Sequence, residues 1–310
     1  MKIVFLDAKT LGDDADLSIF QQFGVFEAFD TTVMSQRIEH IGDAKIVLTN
    51  KVIIDKEVMD ACPNLGLICI TATGMNNVDL VYAKQKGIVV KNVAGYSTAS
   101  VAQTTFMLVL ELLGHCAYYA QYVASGEWTK SSIYTHIDRP FGEIKGKRWG
   151  IIGLGTIGRE VAKIATAFGA HVVYYSTSGV NSDSLYERVR LEEMMQTCDV
   201  ISIHAPLNEN TQNLITKEQL NLMKKGAILV NVGRGGIVNE VDLLEVIDVK
   251  EIFVGLDVLS VEPMIENHPL LHVKYPERLI ITPHVAWASI EARTELIRLV
   301  GENIKEFLRQ

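Results

Sequence analysis

The stretch Arg148 to Ala162, RWGIIGLGTIGREVA, decides how the rest of the chain is read. Arg148 to Ile152 have the character of a short buried strand, Gly153, Gly155 and Gly158 give the spacing GxGxxG, and Arg159 opens a helical pattern. In such a strand, turn and helix the first glycine allows the sharp bend and the second leaves room for a pyrophosphate. The third lets helix and strand pack closely. The start of the helix then offers unpaired backbone N–H groups and a positive dipole end to phosphates. A dinucleotide site is the expectation, with a tight turn that binds nothing as the alternative.

At the end of the next strand, HVVYYSTSG, an acidic residue usually accepts hydrogen bonds from the adenosine ribose of NAD. Ser176 holds that position. A hydroxyl does not repel the extra phosphate of NADP as a carboxylate would, and Ser176, Thr177 and Ser178 can donate to one. The arginine usual for NADP is missing from this segment, the nearest being Arg188. NAD and NADP both stay open, as does the reading of Thr177 to Ser182 as a plain polar loop.

The chain has 310 residues, too many for one small core and suited to two domains. Hydrophobic residues make up 48% and charged residues 21%, the composition of a globular protein with no sign of disorder. A net charge of −8 and the absence of any basic run argue against nucleic acid or an anionic membrane as partner. The four cysteines, Cys62, Cys69, Cys116 and Cys198, show neither CxxC nor metal-ligand spacing. Reduced thiols, no metal and a cytoplasmic location are expected. The apolar run from Ile3 stops at Asp7, short of a signal-peptide core.

Apolar strands alternate with helical stretches from the N-terminus: KIVFLD, VFEAFD, KIVLTN, a helix over Lys56 to Ala61, LGLICITATG, a capped helix over Leu80 to Gln85, and GIVVKN. That alternation predicts a parallel sheet covered on both faces. AGYSTAS, Ala94 to Ser100, reads as a linker, followed from Val101 by one long, nearly all-apolar helix and an irregular stretch from Trp128 to Lys147. After the glycine turn, HVVYY, DVISIH, AILVNVG, IFVGLDV and LIITPH give a second α/β domain. Ser289 to Gln310 has apolar residues at helical spacing and can return to the first domain. The expected architecture is two doubly wound parallel-sheet domains. The substrate domain, flavodoxin-like, takes 1–98 plus 286–310, and a Rossmann cofactor domain is inserted as 99–285.

Three strand ends carry chemistry: NVGRGG with Arg234, GLDVLSVEP with Asp257 and Glu262, and ITPHVAWAS with His284. Each alone is commonplace. Together with ATGMNNVDL, GYSTASVAQ, GLGTIG and HAPLNENTQNLI, in that order along the chain, they resemble the D-isomer-specific 2-hydroxyacid dehydrogenases. ATGMNNVD, GYSTASVAQ and HVAWAS are most similar to glycerate dehydrogenases, also called hydroxypyruvate reductases.

The resemblance implies catalytic positions at Arg234, Glu262 and His284, and a nicotinamide contact at Asp257. It implies a substrate carboxylate held by the amides of Thr73, Gly74 and Met75. It also implies cofactor contacts at Gly153, Gly155, Thr156, Ile157, Gly158, Ser176, His204, Pro206, Thr211 and Val232, besides Arg234 and His284. An imidazole titrating near neutrality suits His284 as proton donor, a carboxylate on its far nitrogen orients the ring, and the planar fork of Arg234 suits a 2-oxo acid. The expected reaction is NAD(P)H-dependent reduction of hydroxypyruvate or glyoxylate to the D-hydroxy acid, by a homodimer. The alternatives are a dinucleotide-sensing protein resembling the C-terminal-binding corepressors and a dehydrogenase of another small anion. Formate enzymes pair His with Gln where this chain has Glu262.

Overall fold

The structure is a computed structural model and describes residues 1–180 and 182–309. Asn181, inside the expected polar loop, and Gln310, at the end of the expected last helix, lie outside the described residues. The chain divides into two compact units, Met1–Ser97 with Trp287–Gln310, and Thr98–Ala286.

The first unit is a five-stranded parallel sheet. Its strands are β1 (Lys2–Phe5), β2 (Val25–Ala28), β3 (Ile46–Thr49), β4 (Leu67–Ile70) and β5 (Val89–Lys91), in the order β2-β1-β3-β4-β5. That is the flavodoxin-like order. Every residue of β3 and β4 is buried, as a sheet covered on both faces requires. On one face Val4, Leu6, Val47 and Ile68 pack with Val58, Met59 and Ala83. These last three come from α2 (Lys56–Ala61) and α3 (Leu80–Gln85), which follow α1 (Arg37–Ile41). On the other face Ile3, Phe5, Ile46, Leu48 and Leu67 meet Leu296, Ile297, Val300 and Ile304 of the C-terminal helix, Ile290–Leu308. Burial of each such aliphatic side chain contributes about 1.5–3 kcal/mol. The C-terminal helix is therefore part of this unit's core. Asp55, Asp79 and Ser289 cap their helices by accepting from the N–H of Val58, Tyr82 and Ala292.

The second unit opens with α4 (Thr98–Gly114) and α5 (Cys116–Ala124). Sequence periodicity suggested one helix from Val101; the structure breaks it at His115, whose φ is 52°, and the two pieces meet at 61°. The expected linker is also shorter, because Thr98, Ala99 and Ser100 already belong to α4. Val101, Ala102, Phe106, Leu108, Val109 and Leu112 bury α4, whereas α5 has no buried residue. Among the described residues no single helix is long and apolar enough to cross a membrane; the bent pair α4–α5 has the length and composition, but its apolar first half is core.

The sheet of this unit has seven parallel strands: β6 (Arg148–Ile152), β7 (His171–Tyr175), β8 (Glu187–Arg188), β9 (Val200–Ile203), β10 (Ile228–Asn231), β11 (Phe253–Leu256) and β12 (Leu279–Ile281). Their order is β12-β11-β10-β9-β6-β7-β8. Between them run α6 (Thr156–Ala167), α7 (Leu191–Thr197), α8 (Lys217–Leu222) and α9 (Glu240–Ile247). The strand order reverses at β6, which pairs with β7 on one side and β9 on the other. Ligands of open α/β sheets bind beyond the carboxyl ends of the strands at such a switch point, and the glycine turn follows β6.

Candidate active site

At the end of β6 Gly153 has φ +91°, and a Cβ there would lie 2.9 Å from the Ala205 backbone nitrogen. A Cβ on Gly158 would come within 2.3 Å of the Gly153 carbonyl oxygen. Nothing lies within 4 Å of the equivalent point on Gly155, so a cradle stays open in front of the first turn of α6. Thr156 and Ile157 open that helix, and their amides belong to the unpaired first turn.

The strand ends on either side of this turn each hold an unsatisfied polar atom. After β7, Ser176 is 4% exposed and its Oγ has no hydrogen-bond partner. After β9, His204 Nδ1 is likewise buried without a partner. His204 Nε2 lies 3.0 Å from Ser202 Oγ, which accepts from Trp149 Nε1. Burial pushes the His204 pKa down to about 3, so the ring stays neutral. A buried polar group without a partner costs about 1–3 kcal/mol. An open glycine cradle flanked by two such atoms fits a dinucleotide laid across β7, β6 and β9.

No acidic residue stands in Ser176 to Val180. The nearest carboxylate, Asp183, is paired with Arg159 and accepts from the N–H of Leu185 and Tyr186. Arg188, in β8, folds back so that its Nη1 donates to the Gly179 carbonyl at 2.9 Å. The fold thus brings to this loop the arginine its own segment lacks.

Further along the sheet, Pro206 and Thr211 form a closed turn. Thr211 is fully buried, and its hydroxyl donates to the Pro206 carbonyl at 2.7 Å while accepting from Asn208 N–H at 2.8 Å. At the end of β10, Asn231 shapes the NVGRGG turn: its Oδ1 accepts from Gly233 N–H and its Nδ2 donates to the Arg234 carbonyl. Asn231 is a functional-loop residue not singled out above, although an Asn that ends a strand before glycines favours this side-chain turn. Val232 is buried, while the Arg234 side chain is exposed and donates to the Gly233 carbonyl. A Cβ on Gly235 would sit 1.8 Å from the Leu259 carbonyl oxygen, so the Arg234 turn lies directly against the loop that carries Glu262.

After β11 and β12 a proton-handling pair is assembled. Asp257, 1% exposed, accepts from Thr282 Oγ1 at 2.6 Å and from the N–H groups of Val285 and Ala286, both at 2.9 Å. Burial raises the pKa of this carboxyl despite those bonds. Its backbone carbonyl also accepts from His284 N–H, and together these contacts hold His284 at φ 55°. Both carboxylate oxygens of Asp257 are thereby engaged by the loop that follows β12. His284 Nδ1 is 2.6 Å from Glu262 Oε2, and Glu262 Oε1 accepts from Leu259 N–H at 2.9 Å. Nε2 of His284 has no hydrogen-bond partner among the described residues. Such an arrangement presents an oriented Nε2 to a ligand, as an acceptor in the neutral ring and as a proton donor in the imidazolium.

Thr73, Gly74 and Met75 belong to the other unit, after β4. Their loop is held by Thr73 Oγ1 donating to the Val93 carbonyl and Asn92 Nδ2 donating to the Thr73 carbonyl. The three backbone N–H groups bond to no described residue, which leaves a small anion-accepting nest. Among the described residues no group of three or more His, Cys, Asp or Glu could hold a metal ion.

Residues 106–286 match the family model described as the NAD-binding domain of D-isomer-specific 2-hydroxyacid dehydrogenases. Over the whole chain, the protein is 39% identical to a hydroxypyruvate reductase of Blautia hydrogenotrophica, covering 97% of that protein. It is 36% identical to a glycerate dehydrogenase of Methylorubrum extorquens, across 99% of this chain and 96% of that one. Among solved structures, the D-lactate dehydrogenase of Aquifex aeolicus in complex with NAD and lactic acid superposes with a TM-score of 0.83 at 25% identity, covering 99% of this chain and 95% of that one. Length, fold and motifs agree throughout: the chain is an oxidoreductase of the D-isomer-specific 2-hydroxyacid dehydrogenase family.

Proposed function

We propose that the protein reduces a short 2-oxo acid, hydroxypyruvate or glyoxylate, to the corresponding 2-hydroxy acid, of D configuration where a stereocentre forms. The observation that carries this reading is the Glu262–His284 pair, with Nδ1 fixed by the carboxylate and Nε2 left for a ligand. When bound, the nicotinamide supplies the hydride to the keto carbon. His284 Nε2 then gives a proton to the carbonyl oxygen as negative charge builds there, while Glu262 stabilises the protonated ring and keeps its orientation. Arg234 binds the carbonyl and a carboxylate oxygen of the acid through its planar fork. The two relatives named hydroxypyruvate reductase and glycerate dehydrogenase favour this substrate class.

For the cofactor, the turn Gly153, Gly155, Thr156, Ile157 and Gly158 holds the pyrophosphate, and Ser176, His204, Pro206 and Val232 line the dinucleotide. Thr211 supports that lining from within its turn, and Asp257 supports the nicotinamide side. NAD is the preferred form, and NADP is accepted, because Ser176 leaves no carboxylate to repel a ribose phosphate and Arg188 stands beside the loop. Ser176→Asp is expected to lower NADPH use relative to NADH.

The working assembly is a homodimer. Val123, Trp128, Ile133, Tyr134, Ile137 and Phe141 expose apolar surface on and after α5, which a second copy would cover. Product analysis tests the reaction. With hydroxypyruvate and reduced cofactor the product is expected to be D-glycerate; L-glycerate, or no reaction with either hydroxypyruvate or glyoxylate, would overturn the proposal.

A further inference from the structure

The second unit contains another histidine–carboxylate pair, which the proposed reaction leaves unused. Glu240 is the first residue of α9, and its Oε1 accepts from Ser260 N–H at 2.6 Å. Its Oε2 is 3.1 Å from His268 Nε2. His268 Nδ1 accepts from Leu270 N–H at 3.3 Å, so the ring proton sits on Nε2 and is donated to Glu240. The two side chains are each 11% exposed.

Three segments meet at Glu240. It closes the segment that begins with Arg234. Through Ser260 it holds the loop in which Leu259 N–H donates to Glu262. Through His268 it is tied to the turn Pro269–His272. The contact of Gly235 with the Leu259 carbonyl lies on the same seam. For stability alone an apolar pair would serve as well, because removing a carboxylate from water is offset only by well-formed hydrogen bonds. Directional bonds do what apolar packing does not: they fix the Ser260 peptide in one register.

We propose that Glu240, braced by His268, is a positioning residue that sets Glu262, and through it the His284 ring, relative to Arg234. The activity arm of the test rests on the proposed reduction of 2-oxo acids; the spectroscopic arm does not. Misplacement of reacting groups by about 1 Å costs on the order of 100-fold in rate. Glu240→Ala is therefore expected to lower kcat by roughly 10–100-fold with unchanged NADH affinity.

In cofactor-free protein at alkaline pH, long-range proton–nitrogen spectra report which ring nitrogen of His284 carries the proton. The Nδ1–H form is expected in the wild type, and a mixture of both forms in Glu240→Ala. His268→Leu is expected to behave like Glu240→Ala. His268→Gln, whose amide can still donate to Glu240, is expected to restore both the tautomer and most of kcat. If Glu240→Ala does not fold, the contrast between His268→Leu and His268→Gln decides. Wild-type tautomer and kcat in folded Glu240→Ala or in His268→Leu would overturn the proposal. A wild-type protein that reduces no 2-oxo acid would contradict the proposed function, and the tautomer comparison would still decide the role of Glu240.

Discussion

Two hydrogen-bonded histidine–carboxylate pairs stand among the described residues of the second unit, built from the same groups and wired in opposite senses. In His284–Glu262 the carboxylate holds Nδ1 and leaves Nε2 without a partner among the described residues, with the two side chains 24% and 33% exposed. In His268–Glu240 the carboxylate takes Nε2, a backbone N–H takes Nδ1, and the side chains are each 11% exposed. The chemical difference lies in which nitrogen is left for a ligand. A histidine with both nitrogens committed can orient a loop but has no proton to offer, whereas one with a single committed nitrogen is oriented and still reactive. The backbone reinforces the contrast, since His284 is kept in a left-handed conformation by the buried Asp257.

The comparison is broken most severely by removing the reactive ring. His284→Gln is expected to lower kcat by roughly 10²–10⁴-fold, the usual weight of a general acid, while NADH still binds; steady-state kinetics and cofactor fluorescence check both halves. Next comes Glu262→Gln, which replaces a hydrogen bond to a charged group by a neutral one. The difference, about 1–1.5 kcal/mol, corresponds to roughly 5–10-fold in kcat. An unchanged rate would mean that the carboxylate is no more than a spacer. Gly235→Ala tests whether the two loops must touch, because the added methyl would overlap the Leu259 carbonyl. Overpacking of this kind costs about 1–3 kcal/mol, so a lower melting temperature and lower kcat are expected together.

The smallest effect sharpens the same lesson with cysteine. Burial raises the pKa of Cys69 to about 12 and that of Cys198 to about 11, so at pH 8 both are overwhelmingly protonated and shielded. Neither is expected to react with Ellman's reagent until the protein unfolds. Rapid labelling of either in the native protein would contradict the packing described.

Legibility in the sequence followed the range of the interactions. The glycine turn, the Asp79 cap and the fully buried strands β3 and β4 are local, and their chemistry reads directly from neighbouring residues. The break at His115 is different: a single glycine, Gly114, inside an apolar run does not announce a 61° bend, and packing of α4 but not α5 into the core accompanies the break. Arg188 looked remote from Ser176 because β8, two charged residues long, gives almost no strand signal. That strand carries the arginine back onto the Gly179 carbonyl. In the candidate site, Arg234, Glu262 and His284 stood out by residue type at strand ends. Glu240 and His268 did not, because their bond to each other and that of Glu240 to Ser260 N–H join segments far apart in sequence; Asn231, whose turn is local, was legible and was passed over.

The most direct test of the account is the initial rate of NADH and NADPH oxidation by the wild-type protein with hydroxypyruvate, glyoxylate, pyruvate and larger 2-oxo acids. The account predicts rapid turnover of hydroxypyruvate or glyoxylate, faster with NADH and measurable with NADPH. Binding of dinucleotide without oxidation by any of these acids would contradict it.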